Sequence, residues 1–237
     1  MTATPVRTKT VNLSPLTLSV LNNFSLINSS IVFKTGSVIK TCSVADNIIG
    51  EYNCEEYFPR DFAIYDLSQF LAGIRILDNP SLVFDNDEYV VLRGTNMSMR
   101  YYFSDPAITL KNANYGKDFP FPDSCMNLPV SEDVLGKIQN VSSQFRLPDL
   151  IFTSSSDKVS IVLKDSENDT GNVCTLDFPQ ATTTEDNELS LKIENLRVHN
   201  KFSYDVSVSD ALVTKWSATS LGNEDISLTY FIAMEPK

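Results

Sequence analysis

The chain has 237 residues and a formal net charge of −11 at pH 7, a length that suits one large domain or two small ones. Hydrophobic residues make up 42% of it, which supports a real core, while eight glycines and 21% charged residues exclude collagen-like and disordered chains. No basic N-terminal stretch precedes an apolar run, and no run reaches the ~18–20 apolar residues of a membrane span. We therefore expect a soluble, intracellular protein without a membrane partner.

The first half of the chain combines one long helix pattern with several strand patterns. Apolar residues at helical spacing predict a helix from Leu16 to Asn28, with Pro15 in its first turn. Strand patterns follow at 30–34, 37–42 and 62–66. The last of them ends at Asp66, which can cap a short helix whose apolar stripe runs to Ile74.

The second half repeats this order. Ser131 is predicted to cap a helix from Glu132 to Arg146, and Pro148 ends it. Strand patterns follow at 149–153, 158–163, 189–193 and 228–234. Glu194 occupies the position that corresponds to Asp66 and can cap a fourth helix. This helix has at most two turns and runs to Lys201. The repeat of roughly 110 residues is far longer than the ~20–50 of solenoid repeats, so it indicates two similar domains in tandem.

A proline-rich segment joins the two halves. Residues 104–130 hold four of the eleven prolines and lack long periodicity, as expected of a connector that crosses a surface. The predicted division is 1–106 for the first domain, 107–130 for the connector and 131–237 for the second domain. Phe119 and Phe121 alternate with prolines in the connector, and we expect them to hold it against a sheet.

Three separated segments carry a resemblance to a known family. They are Val20–Asn28, Phe62–Leu71 and the connector from Ser104–Pro106 to Phe119–Pro122. In that order they resemble the DNA polymerase sliding clamp of T-even-type tailed phages, which is related in fold to proliferating cell nuclear antigen. The resemblance is continuous from about Leu16 to about Ser124 and looser in the second half.

The resemblance implies an α+β fold of two tandem domains, with antiparallel sheets outside and two helices per domain on the inner face. It implies a homotrimer that closes head-to-tail around double-stranded DNA and tethers the replicative DNA polymerase, in the cytoplasm of an infected bacterium. An ATP-driven clamp loader opens such rings, and related phages also use the clamp to activate late transcription. Partner proteins insert a short hydrophobic C-terminal peptide beside the connector, which we place near Phe119 and Phe121.

Motifs for catalysis or cofactors are absent from the sequence. There is no G-x-S-x-G, no G-x-x-x-x-G-K-[ST] and no G-x-G-x-x-G, and His199 is the only histidine. Acidic clusters at 85–88 and 185–188 have the pattern of solvated loops. No C-x-x-C pair occurs among the four cysteines, Cys42, Cys54, Cys125 and Cys174. We expect reduced thiols, no zinc or other metal, no cofactor and no enzyme activity.

The polar faces of the predicted helices carry basic residues that suit duplex DNA. Seven residues are predicted to face DNA: Arg75, Lys137, Asn140, Gln144, Arg146, Arg197 and Lys201. His199 lies between the last two. The acids of these segments lie in first turns, where they suit caps and the helix dipole. An acidic chain could thus present a basic inner wall that contacts phosphates and reads no bases. The same pattern also fits the mixed charged face of any amphipathic helix.

The first helix departs from the family pattern. Its outer positions are Ser19, Asn22, Asn23 and Ser25, with no basic residue. Phage clamps carry lysine on this helix, including at the position that matches Asn22. We expect weak contact with DNA there, which is compatible with sliding because fast diffusion requires small barriers.

Two other protein classes stay open at this point. A non-enzymatic virion or tail protein would also be β-rich, acidic and oligomeric, although it needs neither the repeat nor basic helix faces. An acid–base hydrolase on a β scaffold would need two facing carboxylates in a pocket. Trp216, Phe202 and Tyr204 could stack on bases, but they lie in strand patterns with polar neighbours, so we expect them in a core or an interface.

Overall fold

The computed structural model describes residues 9–109, 118–155, 158–219 and 226–236. The chain divides into two compact units, Met1–Val44 with Glu51–Gly116 and Ala45–Gly50 with Lys117–Lys237. The predicted turn at 222–225 and residues 110–117 of the predicted connector lie outside the described residues. The division at residues 106 and 130 stays a prediction.

The helices of the first unit are α1 (Pro15–Ile27), α2 (Leu67–Ile76) and the one-turn α3 (Pro106–Thr109). The first two begin where the sequence predicts them. The Ser14 hydroxyl accepts a hydrogen bond from the Thr17 N–H over 3.1 Å and caps α1. The Asp66 carboxylate caps α2 in the same way, because it accepts from the Gln69 N–H over 2.8 Å.

The strands of the first unit are β1 (Lys9–Val11), β2 (Ile31–Phe33), β3 (Gly36–Cys42), β4 (Ile48–Phe58), β5 (Phe62–Ile64), β6 (Ser81–Phe84), β7 (Tyr89–Arg93) and β8 (Ser98–Tyr102). One antiparallel sheet has the order β1-β6-β7-β8, β2 pairs with β5, and β3 neighbours β4. On β4, Tyr52, Cys54, Glu56 and Phe58 face inward at alternate positions, as a half-buried strand requires.

The core of the first unit lies between its helices and sheets. Phe33 stacks on Phe62 with ring centroids 4.5 Å apart. Gly73 allows α2 to approach the sheet closely, because a Cβ there would lie 3.1 Å from Leu92 Cδ1 and from Met99 Sδ. The distance between α2 and strands β7 and β8 therefore depends on this glycine.

The elements of the second unit are β9 (Met126–Val130), α4 (Glu132–Phe145), β10 (Asp149–Ser155), β11 (Lys158–Lys164), β12 (Cys174–Asp177), β13 (Thr182–Thr183), β14 (Asn187–Lys192), a 3-10 turn (Ile193–Asn195), β15 (Tyr204–Ser209), β16 (Val213–Ala218) and β17 (Ser227–Ala233). They form sheets of order β12-β11-β10-β14 and β13-β9-β15-β16-β17. The Ala233 N–H donates to the Asn47 carbonyl over 2.9 Å, which ties the segment Ala45–Gly50 to β17. The last five residues of the predicted connector form β9, since Met126, Leu128 and Val130 are buried at alternate positions.

The two units repeat one topology. In the first, the strand after α1 pairs with the strand before α2, and Ile31 lies opposite Ile64. In the second, the strand after α4 pairs with β14, and Asp149 lies opposite Lys192. The sheets β1-β6-β7-β8 and β9-β15-β16-β17 also correspond, since each joins the first strand of its unit to the strands that follow its second helical segment. The predicted α+β class with two similar domains is confirmed.

The predicted fourth helix is wrong. Between residues 194 and 201 the described chain forms one 3-10 turn, Ile193–Asn195, and then continues without helix or strand to a turn at 200–201. Leu196 and Val198 are buried two residues apart, which is the period of extended chain rather than of a helix. Glu194 is not a cap either, because it lies inside the 3-10 turn, whose N-cap residue is Lys192. The described part of the second unit therefore has one α-helix instead of two.

The large aromatic residues of the second half lie in its core. Trp216, Tyr204 and Phe202 are 0%, 1% and 2% exposed. The Trp216 Nε1–H donates to Thr214 Oγ1 over 2.9 Å, and the Tyr204 hydroxyl donates to the His199 carbonyl over 2.6 Å. Their polar groups are thus satisfied inside the protein. The predicted core packing is confirmed, and these rings are not available for stacking on bases.

Cys42, Cys54 and Cys125 are buried free thiols, and Cys174 is half-buried. Burial, reinforced by the charge of Glu56, raises the pKa of the Cys54 thiol to about 12. Burial also raises the pKa of Cys125. Both thiols stay protonated at neutral pH, which makes them unreactive. No helix in the described part of the chain is long and apolar enough to cross a membrane.

Candidate nucleic-acid interface

The exposed face of α4 is polar and carries three of the seven predicted DNA-facing residues. Lys137, Asn140 and Gln144 are exposed at helical spacing. Leu135 and Ile138 occupy the opposite, buried face. The structure therefore brings these three side chains together on one surface of the second unit.

Both ends of α4 are held by local hydrogen bonds. The Ser131 hydroxyl accepts from the Val134 N–H over 3.3 Å at the start of the helix. At the other end Arg146 is the C-cap, with the left-handed dihedrals φ 55° and ψ 50°, and its N–H donates to the Ser142 carbonyl. The sequence predicts Arg146 in the last turn of the helix. In the structure the exposed Arg146 lies one position further on, at the C-cap.

The predicted cations Arg197 and Lys201 lie outside any helix. Arg197 is exposed, and its Nε–H donates to the Glu194 carbonyl over 3.0 Å, so its guanidinium stays close to the 3-10 turn. Lys201 is exposed in the loop before β15. The structure therefore places both on loop segments, which corrects the prediction of a helical face.

His199 lies between these two cations in the sequence but does not contribute to a basic surface. Its side chain is buried, its ring lies 4.7 Å from that of Phe202, and its Nδ1 accepts from the Lys201 N–H over 3.3 Å. Burial lowers the pKa of His199, and the charge of Lys201 lowers it further. The ring is therefore neutral at pH 7 and serves packing.

In the first unit, Arg75 lies beside a groove between α1 and α2. The groove has a volume of about 260 Å³ and is lined by Pro15, Leu18, Ser19, Asn22, Leu71 and Arg75. Arg75 and Asn22 are both exposed. The structure therefore brings the one cation of α2 next to the uncharged polar face of α1.

One predicted outer position of α1 is wrong. Asn23 is only 8% exposed and lies beside the buried stripe of Val20, Phe24 and Ile27. Sequence spacing alone did not show that Asn23 is buried, because an asparagine at the margin of an apolar stripe can belong to either the buried or the exposed side of the helix. The exposed polar surface of α1 is thus narrower than predicted.

Five of the described cations on sheets and loops form ion pairs with nearby acids. Ion pairs include Lys34–Asp61, Lys40–Glu51, Arg60–Asp87, Lys164–Glu188 and Lys192–Asp149. By contrast, Arg75, Lys137 and Arg146 have no acidic partner within 4.0 Å among the described residues. These three cations are free to meet an external anion such as phosphate.

The end of the connector packs on the second unit beside a pocket. Phe119 and Phe121 lie 5.0 and 6.2 Å from the ring of Phe231 on β17, which confirms the predicted contact with a sheet. The pocket has a volume of about 400 Å³. It is lined by Asp46, Asn47, Ile49, Phe119, Pro120, Pro122, Ala211, Leu212, Val213, Phe231 and Ala233.

Most of these lining residues were not predicted. They come from four separate stretches of sequence, and nothing in the local pattern of Ile49 or Ala211 connects them with the connector. Leu212 has a left-handed backbone with φ 60°, which is unusual for a bulky residue and follows from no sequence motif. The one available signal was Phe231 within a strand pattern.

Comparison with known proteins shows which proteins the chain is similar to. A sequence model of the DNA polymerase processivity factors matches residues 12–86. The sliding clamp of Vibrio phage KVP40 is 27% identical over 237 residues, which cover 95% of this chain and 99% of that protein. The chain is a sliding clamp similar to those of phages. The sliding clamp of Enterobacteria phage T4 is 26% identical over 152 residues, which cover 64% of this clamp and 65% of its relative.

Solved structures show the fold of the clamp independently. Proliferating cellular nuclear antigen from Entamoeba histolytica has a TM-score of 0.74 at 13% identity, over 96% of the clamp and 98% of that chain. A structure of the C-terminal region of FEN-1 bound to A. fulgidus PCNA has a TM-score of 0.71 at 12% identity, over 94% and 96% of the two chains. The clamp is therefore a DNA polymerase processivity factor with a fold shared by these distant proteins.

Proposed function

We propose that this clamp works as a closed ring of three copies around double-stranded DNA and holds the replicative DNA polymerase at the primer end. The observation that carries the proposal is the charge distribution. In a chain of net charge −11, the exposed cations of α2 and α4 lack acidic partners among the described residues. The task requires no catalysis, because a topological tether raises the local concentration of polymerase by itself.

Two open sheet edges support ring closure. β8 is an edge of the first-unit sheet, and β12 is an edge of the sheet β12-β11-β10-β14. Exposed apolar residues flank both edges: Met97 and Tyr102 at β8, and Val173 at β12, are 51%, 60% and 62% exposed. Pairing of β8 in one copy with β12 in the next would cover both edges. Because the two surfaces differ, such head-to-tail contacts generate a ring when the rotation closes.

Three copies would place six domains around the duplex, with 1–106 and 131–237 as the domains and 107–130 as the connector. The surface that meets DNA would be the seven-residue set of Arg75, Lys137, Asn140, Gln144, Arg146, Arg197 and Lys201. All are exposed, and their charged and amide groups suit phosphate oxygens. Binding would be independent of sequence, as sliding requires.

The pocket beside the connector would receive partner proteins. Its apolar walls, which include Phe119 and Leu212, suit a short hydrophobic peptide such as the C-terminus of a DNA polymerase. The A. fulgidus relative in fold was solved with the C-terminal region of FEN-1 bound, which supports a role of this kind. An ATP-driven clamp loader and late transcription factors would be further partners, in the cytoplasm of the infected bacterium.

Two measurements on the full-length protein test the proposal. Light scattering across a dilution series should give three times the 26.4 kDa mass of the monomer, falling as the protein is diluted. Primer extension with the phage polymerase and loader should give longer products when the clamp is present. A strict monomer at high concentration, together with unchanged product length, would refute the ring.

A further inference from the structure

The two units differ in the number of cations on their helices and in the loops that follow them. α1 carries no lysine or arginine, and α2 carries only Arg75. The second unit carries Lys137 on α4 and Arg146 at its C-cap, and Arg197 and Lys201 follow in the loop before β15. The repeated topology therefore supports one cation in the first unit and four in the second.

Five of the six remaining described cations of the first unit are ion-paired or lie on the sheet face away from α2, and the sixth is Lys9 at the start of β1. Lys34, Lys40 and Arg60 are engaged in ion pairs with acids. Arg93 and Arg100 lie on the sheet face that points away from α2. Their strand neighbours Leu92 and Met99 approach Gly73 of α2, and successive side chains of a strand alternate between faces.

The groove at Arg75 has the composition of a site for one phosphate. Its polar lining includes Arg75 and Asn22, which offer a guanidinium and an amide as donors. No carboxylate lines it, and the guanidinium has no acidic partner among the described residues. The apolar floor of Leu18 and Leu71 would limit access of water to a bound phosphate. A planar guanidinium matches phosphate oxygens in pairs.

We infer that each subunit grips DNA mainly through its second unit, and that the first unit adds a single phosphate contact in the groove of Arg75 and Asn22. This inference rests on the proposed function. In a head-to-tail ring, stronger and weaker contacts would then alternate around the duplex. Strong contacts with DNA would then repeat three times around the ring rather than six. The weaker contacts between them would keep the barriers to sliding small.

The salt dependence of DNA binding distinguishes the two units. Each phosphate contact contributes about 0.9 to the slope of log K against log salt concentration. We would measure binding of the full-length clamp to a fluorescein-labelled duplex by anisotropy over a series of NaCl concentrations. Light scattering on every variant would show that assembly is unchanged.

Arg75→Gln should reduce the slope by about 0.9 for each contacting subunit, and the double variant Lys137→Gln/Arg146→Gln should reduce it by about twice that. Asn22→Lys should steepen the slope by about 0.9, because it adds a cation to the groove. Arg93→Gln is the matched control, since it removes an exposed cation from the opposite sheet face, and it should leave the slope unchanged.

A slope that falls as much in Arg75→Gln as in the double variant would overturn the inference, and so would an unchanged slope in Asn22→Lys. Either result could occur in a clamp that stimulates the polymerase normally, and the proposed function would then stand. Binding by the unaltered clamp that shows no salt dependence, with no polymerase stimulation, would instead refute the proposed function.

Discussion

The hydroxyl of Thr17 donates a hydrogen bond to the Glu56 carboxylate over 2.7 Å in the core of the first unit. The Ser14 N–H donates to the other oxygen of the same carboxylate. Glu56 is 9% exposed, and it binds two groups at the N-terminus of α1. One buried carboxylate on β4 therefore holds the start of the helix that forms a wall of the Arg75 groove.

Glu56→Gln should lower the free energy of unfolding at pH 7 by about 1–3 kcal/mol, because a neutral amide accepts these hydrogen bonds less well and turns a donor toward one of them. Burial raises the pKa of Glu56, but the hydrogen bonds from Ser14 and Thr17 outweigh it, and the net pKa lies below the ordinary 4.5. The stabilisation is therefore complete above pH 4.5 and is lost as the pH falls through the lowered pKa. Urea unfolding at a series of pH values measures both effects.

Glu55→Gln is the control for that experiment, because Glu55 is exposed on the same strand. It should change stability by less than about 0.5 kcal/mol. A deficit in Glu56→Gln that persists unchanged at acid pH would show that its cause is packing rather than charge.

Two helical glycines predict opposite responses to alanine. A Cβ at Gly136 on α4 meets nothing within 4 Å, so Gly136→Ala should stabilise the fold by about 0.5–1 kcal/mol through helix propensity. A Cβ at Gly73 would lie 3.1 Å from Leu92 and Met99. In Gly73→Ala the displacement of these side chains should therefore cancel the stabilisation from helix propensity. Denaturant unfolding of the two variants side by side tests the difference, and equal gains would mean that α2 moves freely over its sheet.

Lys137→Glu/Arg146→Glu should shorten primer-extension products while leaving the mass in solution unchanged. The two side chains are exposed and bind no described acid, so their reversal removes attraction for phosphate without disturbing the core. The matched charge reversal Arg93→Glu, on the sheet face away from α2, should have little effect. Full processivity in the double variant would remove both residues from the DNA-facing surface.

Charges placed at the proposed ring edges should weaken assembly. Val173→Glu and Tyr102→Glu each put a carboxylate on an exposed apolar position, so the isolated subunit should fold normally. Light scattering should show the mass falling at a protein concentration about tenfold higher than for the unaltered chain, the effect of roughly 1.4 kcal/mol. Tyr57→Glu, at a residue 64% exposed on β4, is the control and should assemble normally. If all three variants assemble alike, the edges lie outside the interface.

Phe119→Ala should weaken binding of the polymerase C-terminal peptide by on the order of tenfold, as expected for an aromatic residue that lines a small apolar pocket. Phe119 is 36% exposed and lies 5.0 Å from Phe231, so its removal opens one wall and leaves the sheet in place. Peptide anisotropy titrations measure the change. Phe145→Ala, at an exposed phenylalanine of α4 outside the pocket, should bind as before. Equal losses in both variants would argue against the pocket.

Local features of the sequence predicted the fold well where one short segment decides the outcome. Ser14 and Asp66 cap α1 and α2 through bonds to residues three positions on, so their patterns are complete within a few residues. Strands β3, β11 and β14 also follow from the period-2 alternation of their residues. The failed helix after Glu194 shows the limit, since Leu196 and Val198 fit a short apolar stripe until burial shows a period of two.

Features that depend on contacts between distant segments could not be predicted from local sequence patterns. The bond from Thr17 to Glu56 spans 39 positions, and the sequence gives no reason to separate Glu56 from the exposed Glu55 beside it. The connector pocket draws on residues from 46 to 233. The sequence suggested basic helix faces, but the pairing of five other cations with acids, and the lack of such a partner at Arg75 and Lys137 among the described residues, appeared only in three dimensions.

Residues with a left-handed backbone conformation lower the stability of the folded state. Among the described residues four non-glycine positions have positive φ, and two of them, Asp46 and Asn79, are of types that tolerate it. The other two are Arg146 and Leu212, for which this backbone costs roughly 1–2 kcal/mol each. One lies at the end of the α4 surface and the other in the wall of the connector pocket. Glycine would adopt this backbone without the steric penalty at both positions, at the loss of a side chain from the end of the α4 surface or from the pocket wall.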